Sequence, residues 1–109
     1  MNLNKTLDNL VRYVVYTTEP EEVVLFGSMV NGSADVFSDI DLLVIVENEI
    51  NKKEAISRIR SYASQFALKT DVLIYSPSEL EKEISIPNGF INAIQKTGKI
   101  VFKNSGKIV

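Results

Sequence analysis

The sequence predicts an α/β (α+β) protein in which helices flank a small mixed sheet of three or four strands. Short, β-branched apolar segments alternate with segments whose apolar residues recur at helical spacing. This alternation is typical of a sheet covered by helices. A length of 109 residues, with 45% hydrophobic and 24% charged residues, suits one hydrophobic core. We therefore expect residues 1–109 to form a single domain.

In the N-terminal half, the pattern predicts a helix and two strands. Apolar residues spaced by three, four and one mark the helix: Leu3, Leu7, Leu10, Val11, Val14 and Val15. A β-branched strand follows at Glu22–Phe26 and stops at Gly27, before a brief helix at 28–31. The second strand, at 40–46, is a continuous apolar run apart from one aspartate. Such a run predicts burial on both faces of the sheet.

A second long helix is expected after Asn51, a residue type that favours the N-cap position. Its apolar face consists of Ala55, Ile56, Ile59, Tyr62, Ala63, Phe66 and Ala67. A third strand at 70–76 is closed by Pro77. A helix between two strands suits a right-handed crossover, which makes the second and third strands parallel neighbours. If the first strand is antiparallel to them, its end lies at the same edge as their beginnings.

The C-terminal segment predicts two short helices and one short strand. Ser78 and Glu81 have the Ser-x-x-Glu spacing of a capping box, which predicts a helix at 78–84. A last helix at 89–96 is followed by a glycine stop and a strand at 100–102.

Composition excludes several kinds of chemistry. The chain has no cysteine and no histidine, which rules out disulfides, Cys/His zinc sites and Ser-His triads. Catalysis would have to use carboxylates, hydroxyls, Lys, Arg or a hard metal ion. A net charge of −2 with scattered basic residues predicts no direct binding of nucleic acid. Because neither a signal peptide nor a membrane-spanning run is present in the sequence, we expect a cytoplasmic protein with no membrane contact.

Two aspartates stand at the start of the otherwise apolar second strand. Asp39 and Asp41 are two residues apart, so in a strand they project from one face with Cα atoms roughly 6.5 to 7 Å apart. Carboxylates placed in this way can share one Mg²⁺ or straddle two metal ions roughly 4 Å apart. Asp71, at the start of the parallel third strand, would supply a third ligand and help to deprotonate an attacking hydroxyl.

The turn after the first strand suits a phosphate. Gly27 lets the backbone approach closely, and Ser28 offers a hydroxyl and a helix N-terminus. The spacing of a Walker A loop is present, but Ser33-Ala34 replaces its Lys-Ser/Thr. A calcium loop is excluded by Phe37 at a ligand position. The simpler interpretation, in which the aspartates are only solvated or turn residues, does not account for their coincidence with this Gly-Ser turn.

These residues resemble the signature of a known family. Gly27-Ser28, Gly32 and the run 38–42 (Ser-Asp-Ile-Asp-Leu) are similar to the Gly-Ser…Gly…Ser-Asp-x-Asp pattern of the DNA polymerase β-like nucleotidyltransferase superfamily. The short length resembles its minimal nucleotidyltransferase (MntA-like antitoxin) branch. The resemblance implies a palm-like nucleotidyltransferase fold, a metal-binding pair at Asp39 and Asp41, a third carboxylate at Asp71, and a triphosphate-binding turn at Gly27 and Ser28.

The family reaction is in-line attack of a hydroxyl on the α-phosphorus of a nucleoside triphosphate, with release of pyrophosphate and stabilisation by metal charge. The resemblance therefore implies a Mg²⁺-dependent transfer of AMP from ATP at a two-metal site. It also implies a partner, a helical HEPN-type toxin on which the chain acts as antitoxin, in a homo- or hetero-oligomer.

One segment departs from the family pattern. Met29-Val30-Asn31 stand where relatives often carry a basic residue, so the compensating charge would have to come from elsewhere. The candidates are Arg58, Arg60, Lys69 and Lys96. This departure favours one alternative, a catalytically weak or inactive binding module that neutralises its partner by contact. A second alternative, which rests on a resemblance to larger relatives, is a small-molecule nucleotidyltransferase of the aminoglycoside type, which would need an acceptor domain.

Overall fold

The computed structural model describes residues 3–26, 40–87 and 89–104, with side chains from Lys5 onward. Within these residues the helices are α1 (Leu3–Thr18), α2 (Lys52–Ser64), α3 (Pro77–Ile84) and α4 (Phe90–Thr97). The strands are β1 (Glu22–Phe26), β2 (Ile40–Ile45), β3 (Thr70–Tyr75) and β4 (Lys99–Lys103). The brief helix predicted at 28–31 lies outside the described residues.

The four strands form one mixed sheet in the order β3-β2-β1-β4. β2 and β3 are parallel neighbours joined by α2, whereas β1 is antiparallel to both β2 and β4. The predicted fold class and the parallel pairing are confirmed, and the first strand is antiparallel to β2, which is the case in which its end lies at the same edge as the start of β2. None of the helices in the described part of the chain is long and apolar enough to cross a membrane.

Alternate residues of β2 enter two different hydrophobic cores. Leu42 and Val44 pack on the first face of the sheet, which α1 and α2 cover. Leu43 and Ile45 pack on the second face, which α3 and α4 cover. Burial on both faces is therefore confirmed, and Asp41 is the residue of β2 that is not fully buried.

The start of α3 differs from the prediction. The side chain of Ser76 accepts a hydrogen bond from the Glu79 backbone N–H, and the Glu79 carboxylate accepts one from the Ser76 backbone N–H. The capping box predicted at Ser78 and Glu81 was wrong by two residues. The reason is Pro77, whose fixed φ and missing N–H suit the first position of a helix.

The junction between α4 and β4 requires a glycine. A Cβ on Gly98 would lie 2.6 Å from the Ile94 carbonyl oxygen and 2.6 Å from Cγ1 of Val24. The chain passes directly from α4 into β4 at this residue, and nothing larger than hydrogen fits there. The strand spans Lys99–Lys103, two residues longer than the predicted 100–102.

Candidate active site at one end of the sheet

One row of residues crosses the three adjoining strands β1, β2 and β3. Phe26 is the register partner of Asp41 across the antiparallel pair, and Asp41 is the register partner of Asp71 across the parallel pair. Neighbouring strands lie about 4.8 Å apart, so the two carboxyl-bearing backbones are about 5 Å apart. We call Phe26, Asp41 and Asp71 the carboxylate row.

The row lies on the second face of the sheet. Side chains two residues apart in a strand share a face, and Leu43 and Leu73 both contact the core under α3 and α4. The Asp71 side chain is 64% exposed and Asp41 is half-buried. Because neither aspartate is fully buried, the row can carry two like charges without the large cost of burying an ion.

Arg60 reaches Asp71 from α2. Its Nη2 donates to Asp71 Oδ1 at 3.3 Å, and its Nε donates to the Thr70 carbonyl oxygen, also at 3.3 Å. Both charged side chains are more than half exposed, so the pair contributes only about 0–1 kcal/mol to stability. The pair matters for the geometry of the site, because it places a guanidinium beside one carboxylate of the row.

The structure separates the four candidate compensating cations. Arg60 and Lys69 line the same open cavity of about 460 Å³ as Asp71. Arg58 instead pairs with Glu54 at 2.8 Å on the exposed side of α2. Lys96 lies in the last turn of α4. Among the four candidates, Arg60 and Lys69 are thus the two that share a cavity with Asp71.

Thr70, the residue before Asp71, is 5% exposed and lines this cavity. Its hydroxyl oxygen has no hydrogen-bond partner among the described residues.

Several predicted site residues lie outside the residues that the structure describes. Gly27, Ser28 and Asp39 lie in the segment 27–39, which begins directly after Phe26 and ends directly before β2. The structure thus brings Asp41 and Asp71 together, and the roles of all five residues stay predictions. Among the described residues no cluster of three or more His, Cys, Asp or Glu could hold a metal ion.

Two aromatic residues at the site were missed by sequence reasoning. The rings of Phe26 and Phe90 meet edge to face, with centroids 5.9 Å apart and planes at 83°. Phe90 is nevertheless 63% exposed. The register of β1 on β2 would have placed Phe26 opposite Asp41, but no sequence signal links Phe90 to that row.

A mixed sheet with in-register carboxylates at one end and helices on both faces, in a chain without cysteine or histidine, fits the arrangement expected of a nucleotidyltransferase fold. The chain belongs to the polymerase beta nucleotidyltransferase family, whose model matches residues 8–107. It is accordingly a nucleotidyltransferase. The family resemblance predicted from the sequence is confirmed.

Individual relatives agree with this membership. A Methanocaldococcus jannaschii protein named as a protein adenylyltransferase is 37% identical over 78 residues, which cover 72% of this chain and 75% of that protein.

Solved structures support the fold. A toxin–antitoxin complex with AMP-PNP has a chain that matches with a TM-score of 0.63 at 20% identity, over 90% of this chain and 74% of its own. A mutant of the MntA-HpeT toxin–antitoxin matches at 0.56 and 16% identity, with the same coverage of 90% and 74%. A nucleotidyltransferase from Sulfolobus solfataricus matches at 0.52 and 23% identity, over 96% and 84%.

Proposed function

We propose that residues 1–109 act as one Mg²⁺-dependent nucleotidyltransferase domain in the cytoplasm, moving AMP from ATP to a hydroxyl of a HEPN-type toxin. The observation that carries the proposal is the register pairing of Asp41 with Asp71 on one face of the sheet. The relative named as a protein adenylyltransferase and the toxin–antitoxin neighbours support a protein acceptor.

The donor set suits magnesium. Asp41 and Asp71 offer hard carboxylate oxygens on neighbouring strands, the ligands that Mg²⁺ prefers. Asp39, two residues before Asp41 in the sequence, supplies the third carboxylate of the proposed site. When bound, the metal neutralises phosphate charge that develops during transfer.

In the proposed reaction the acceptor hydroxyl oxygen forms a bond to the α-phosphorus of ATP, and the bond from that phosphorus to the bridging oxygen breaks. Pyrophosphate leaves with the bond electrons, and AMP stays on the acceptor. Asp71, on the edge strand β3 and 64% exposed, takes the hydroxyl proton from an acceptor that approaches from outside the sheet. Gly27 and Ser28 hold the triphosphate in this proposal.

Arg60 and Lys69 provide the positive charge that Met29-Val30-Asn31 lack. Both cations line the cavity beside Asp71, where they would attract the phosphates or an acidic acceptor surface. Because Arg60 already contacts Asp71, it also holds that carboxylate in place before the acceptor arrives.

The second candidate function is neutralisation of the toxin by contact alone. It is favoured by one observation, the missing basic residue in the segment after Gly27-Ser28. In that case the fold would be retained as a binding surface, and the carboxylate row would not be needed.

The two functions are separated by one experiment. The chain is incubated with Mg²⁺, ATP labelled at the α-phosphate and the co-encoded partner protein, and label on the partner is counted. Wild type and Asp8→Asn, an exposed change on α1, should transfer label. Asp41→Asn and Asp71→Asn should lose transfer by at least 100-fold, the order of one removed electrostatic contact. Toxin neutralisation by Asp39→Asn/Asp41→Asn without any label transfer by wild type would establish the contact-only function instead.

A further inference from the structure

Phe90 presents an exposed aromatic ring beside the carboxylate row. It is the first residue of α4 and is 63% exposed. Its ring contacts that of Phe26 edge to face, and Phe26 is the register partner of Asp41. The exposed ring of Phe90 therefore contacts a residue, Phe26, that lies opposite Asp41 in the sheet.

The backbone that carries this ring is held by hydrogen bonds on both sides of residue 90. Asn92 Nδ2 donates to the carbonyl oxygens of Ile84 at 2.8 Å and Ile86 at 2.9 Å. The Gly89 N–H donates to the Ile86 carbonyl at 3.1 Å, and a Cβ on Gly89 would lie 3.1 Å from that same oxygen. These hydrogen bonds tie the start of α4 to the end of α3 and so fix the position of the backbone that carries the exposed ring.

An exposed ring on a fixed support contributes little of its burial energy to the fold. It does offer a flat apolar surface whose position is set in advance, which is what a stacking site for a planar ligand requires. Tyr16, which is 82% exposed, has no such relation to the site, because it lies on α1 over the first face of the sheet.

We propose that Phe90, backed by Phe26, is the stacking platform for the base of the nucleoside triphosphate. The inference rests on the proposed function, since a nucleotide whose α-phosphate lies at the carboxylates has its base one sugar away. Base–aromatic stacking tolerates any base because every base has a π-face. Phenylalanine also has no hydrogen-bonding group, so the platform gives affinity without choosing between purines.

The test measures equilibrium binding of the full chain, with Mg²⁺, by titration calorimetry. The ligands are non-hydrolysable analogues of ATP and GTP, and tripolyphosphate, which has no base. The variants are Phe90→Ala, Phe90→Trp and, as matched control, Tyr16→Ala. Thermal unfolding of each variant verifies that it is folded.

Phe90→Ala should weaken both nucleotide analogues by about 5- to 150-fold and leave tripolyphosphate binding unchanged. Phe90→Trp and Tyr16→Ala should bind all three ligands like wild type. If wild type and Phe90→Ala bound the nucleotide analogues equally well, the stacking role of Phe90 would be overturned, but the proposed function would not. This would hold even if Phe90→Ala bound the partner protein less well. The stacking role would also be overturned if Phe90→Ala lost as much affinity for tripolyphosphate as for the nucleotide analogues. A wild-type chain that binds no nucleotide would overturn both proposals.

Discussion

Removing one carboxylate from the row should make the metal-free protein more stable while it destroys activity. Asp41 and Asp71 are register partners on adjacent strands, with backbones about 5 Å apart. Two like charges at that distance repel by about 0.8 kcal/mol in water and about 3.3 kcal/mol at an effective dielectric constant of 20. Because Asp71 is 64% exposed and Arg60 lies beside it, the value near 1 kcal/mol applies.

Asp41→Asn removes this repulsion, keeps the shape of the side chain and still offers an amide group to the other contact that Asp41 makes. For a chain of 109 residues, 1 kcal/mol corresponds to a rise in Tm of about 4 °C. Thermal unfolding in EDTA, followed by circular dichroism, measures the shift. Asp8→Asn makes the same change in net charge on α1 and should shift the free energy of unfolding by less than about 0.5 kcal/mol.

Added Mg²⁺ should reverse the order of the two Tm values, so that wild type melts above Asp41→Asn. Ligand binding stabilises the native state by mass action, so wild type should gain Tm with Mg²⁺ and Asp41→Asn should gain much less. The reasoning is refuted if Asp41→Asn melts at or below wild type in EDTA, or if Mg²⁺ raises both Tm values equally.

Three further predictions concern the frame around the site. Gly98→Ala should lower stability by about 1–3 kcal/mol in chemical denaturation, because its Cβ would meet Val24 and the Ile94 carbonyl at 2.6 Å; an unchanged midpoint would contradict this. Ile59→Ala should cost about 2–5 kcal/mol, since Ile59 is fully buried between α2 and the sheet, whereas exposed Ser57→Ala should be neutral. The Lys52 hydrogen bond, with those from Ser76, lowers the pKa of Glu79 from 4.5 to about 2. A depressed carboxyl pKa stabilises the folded state above pH 4.5, and this effect is lost as the pH falls towards 2. The difference in unfolding free energy between wild type and Glu79→Gln should therefore shrink between pH 4.5 and pH 2 and stay constant above pH 4.5.

The strands were predictable because the pattern of apolar residues along each strand reflects how that strand is buried. β1 was predicted at its observed bounds, and β2 was identified as doubly buried from its unbroken apolar run. The parallel pairing followed from the helix between β2 and β3, since a helical connection can return the chain to a neighbouring strand in the same direction. These inferences use only local pattern and chain connectivity.

Contacts between distant elements were not predictable in the same way. The Arg60 contact with Asp71 depends on how α2 lies against the edge of the sheet, which no local pattern specifies. The meeting of Phe90 and Phe26 depends on the path of the turn before α4. At the start of α3 two overlapping Ser-x-x-Glu patterns competed, and the one followed by Pro77 prevailed.

The two carboxylates of the row have unequal surroundings. Asp41 is carried by β2, an inner strand with a partner on each side, whereas among the described strands β3, which carries Asp71, has a partner on one side only. Local opening costs the most free energy in core strands and less in segments with fewer buried contacts. Amide hydrogens around Asp71 should therefore exchange with solvent sooner than those around Asp41. The carboxylate row thus joins an aspartate on a well-protected inner strand to one on a strand that opens more readily, where the contact with Arg60 positions the Asp71 side chain.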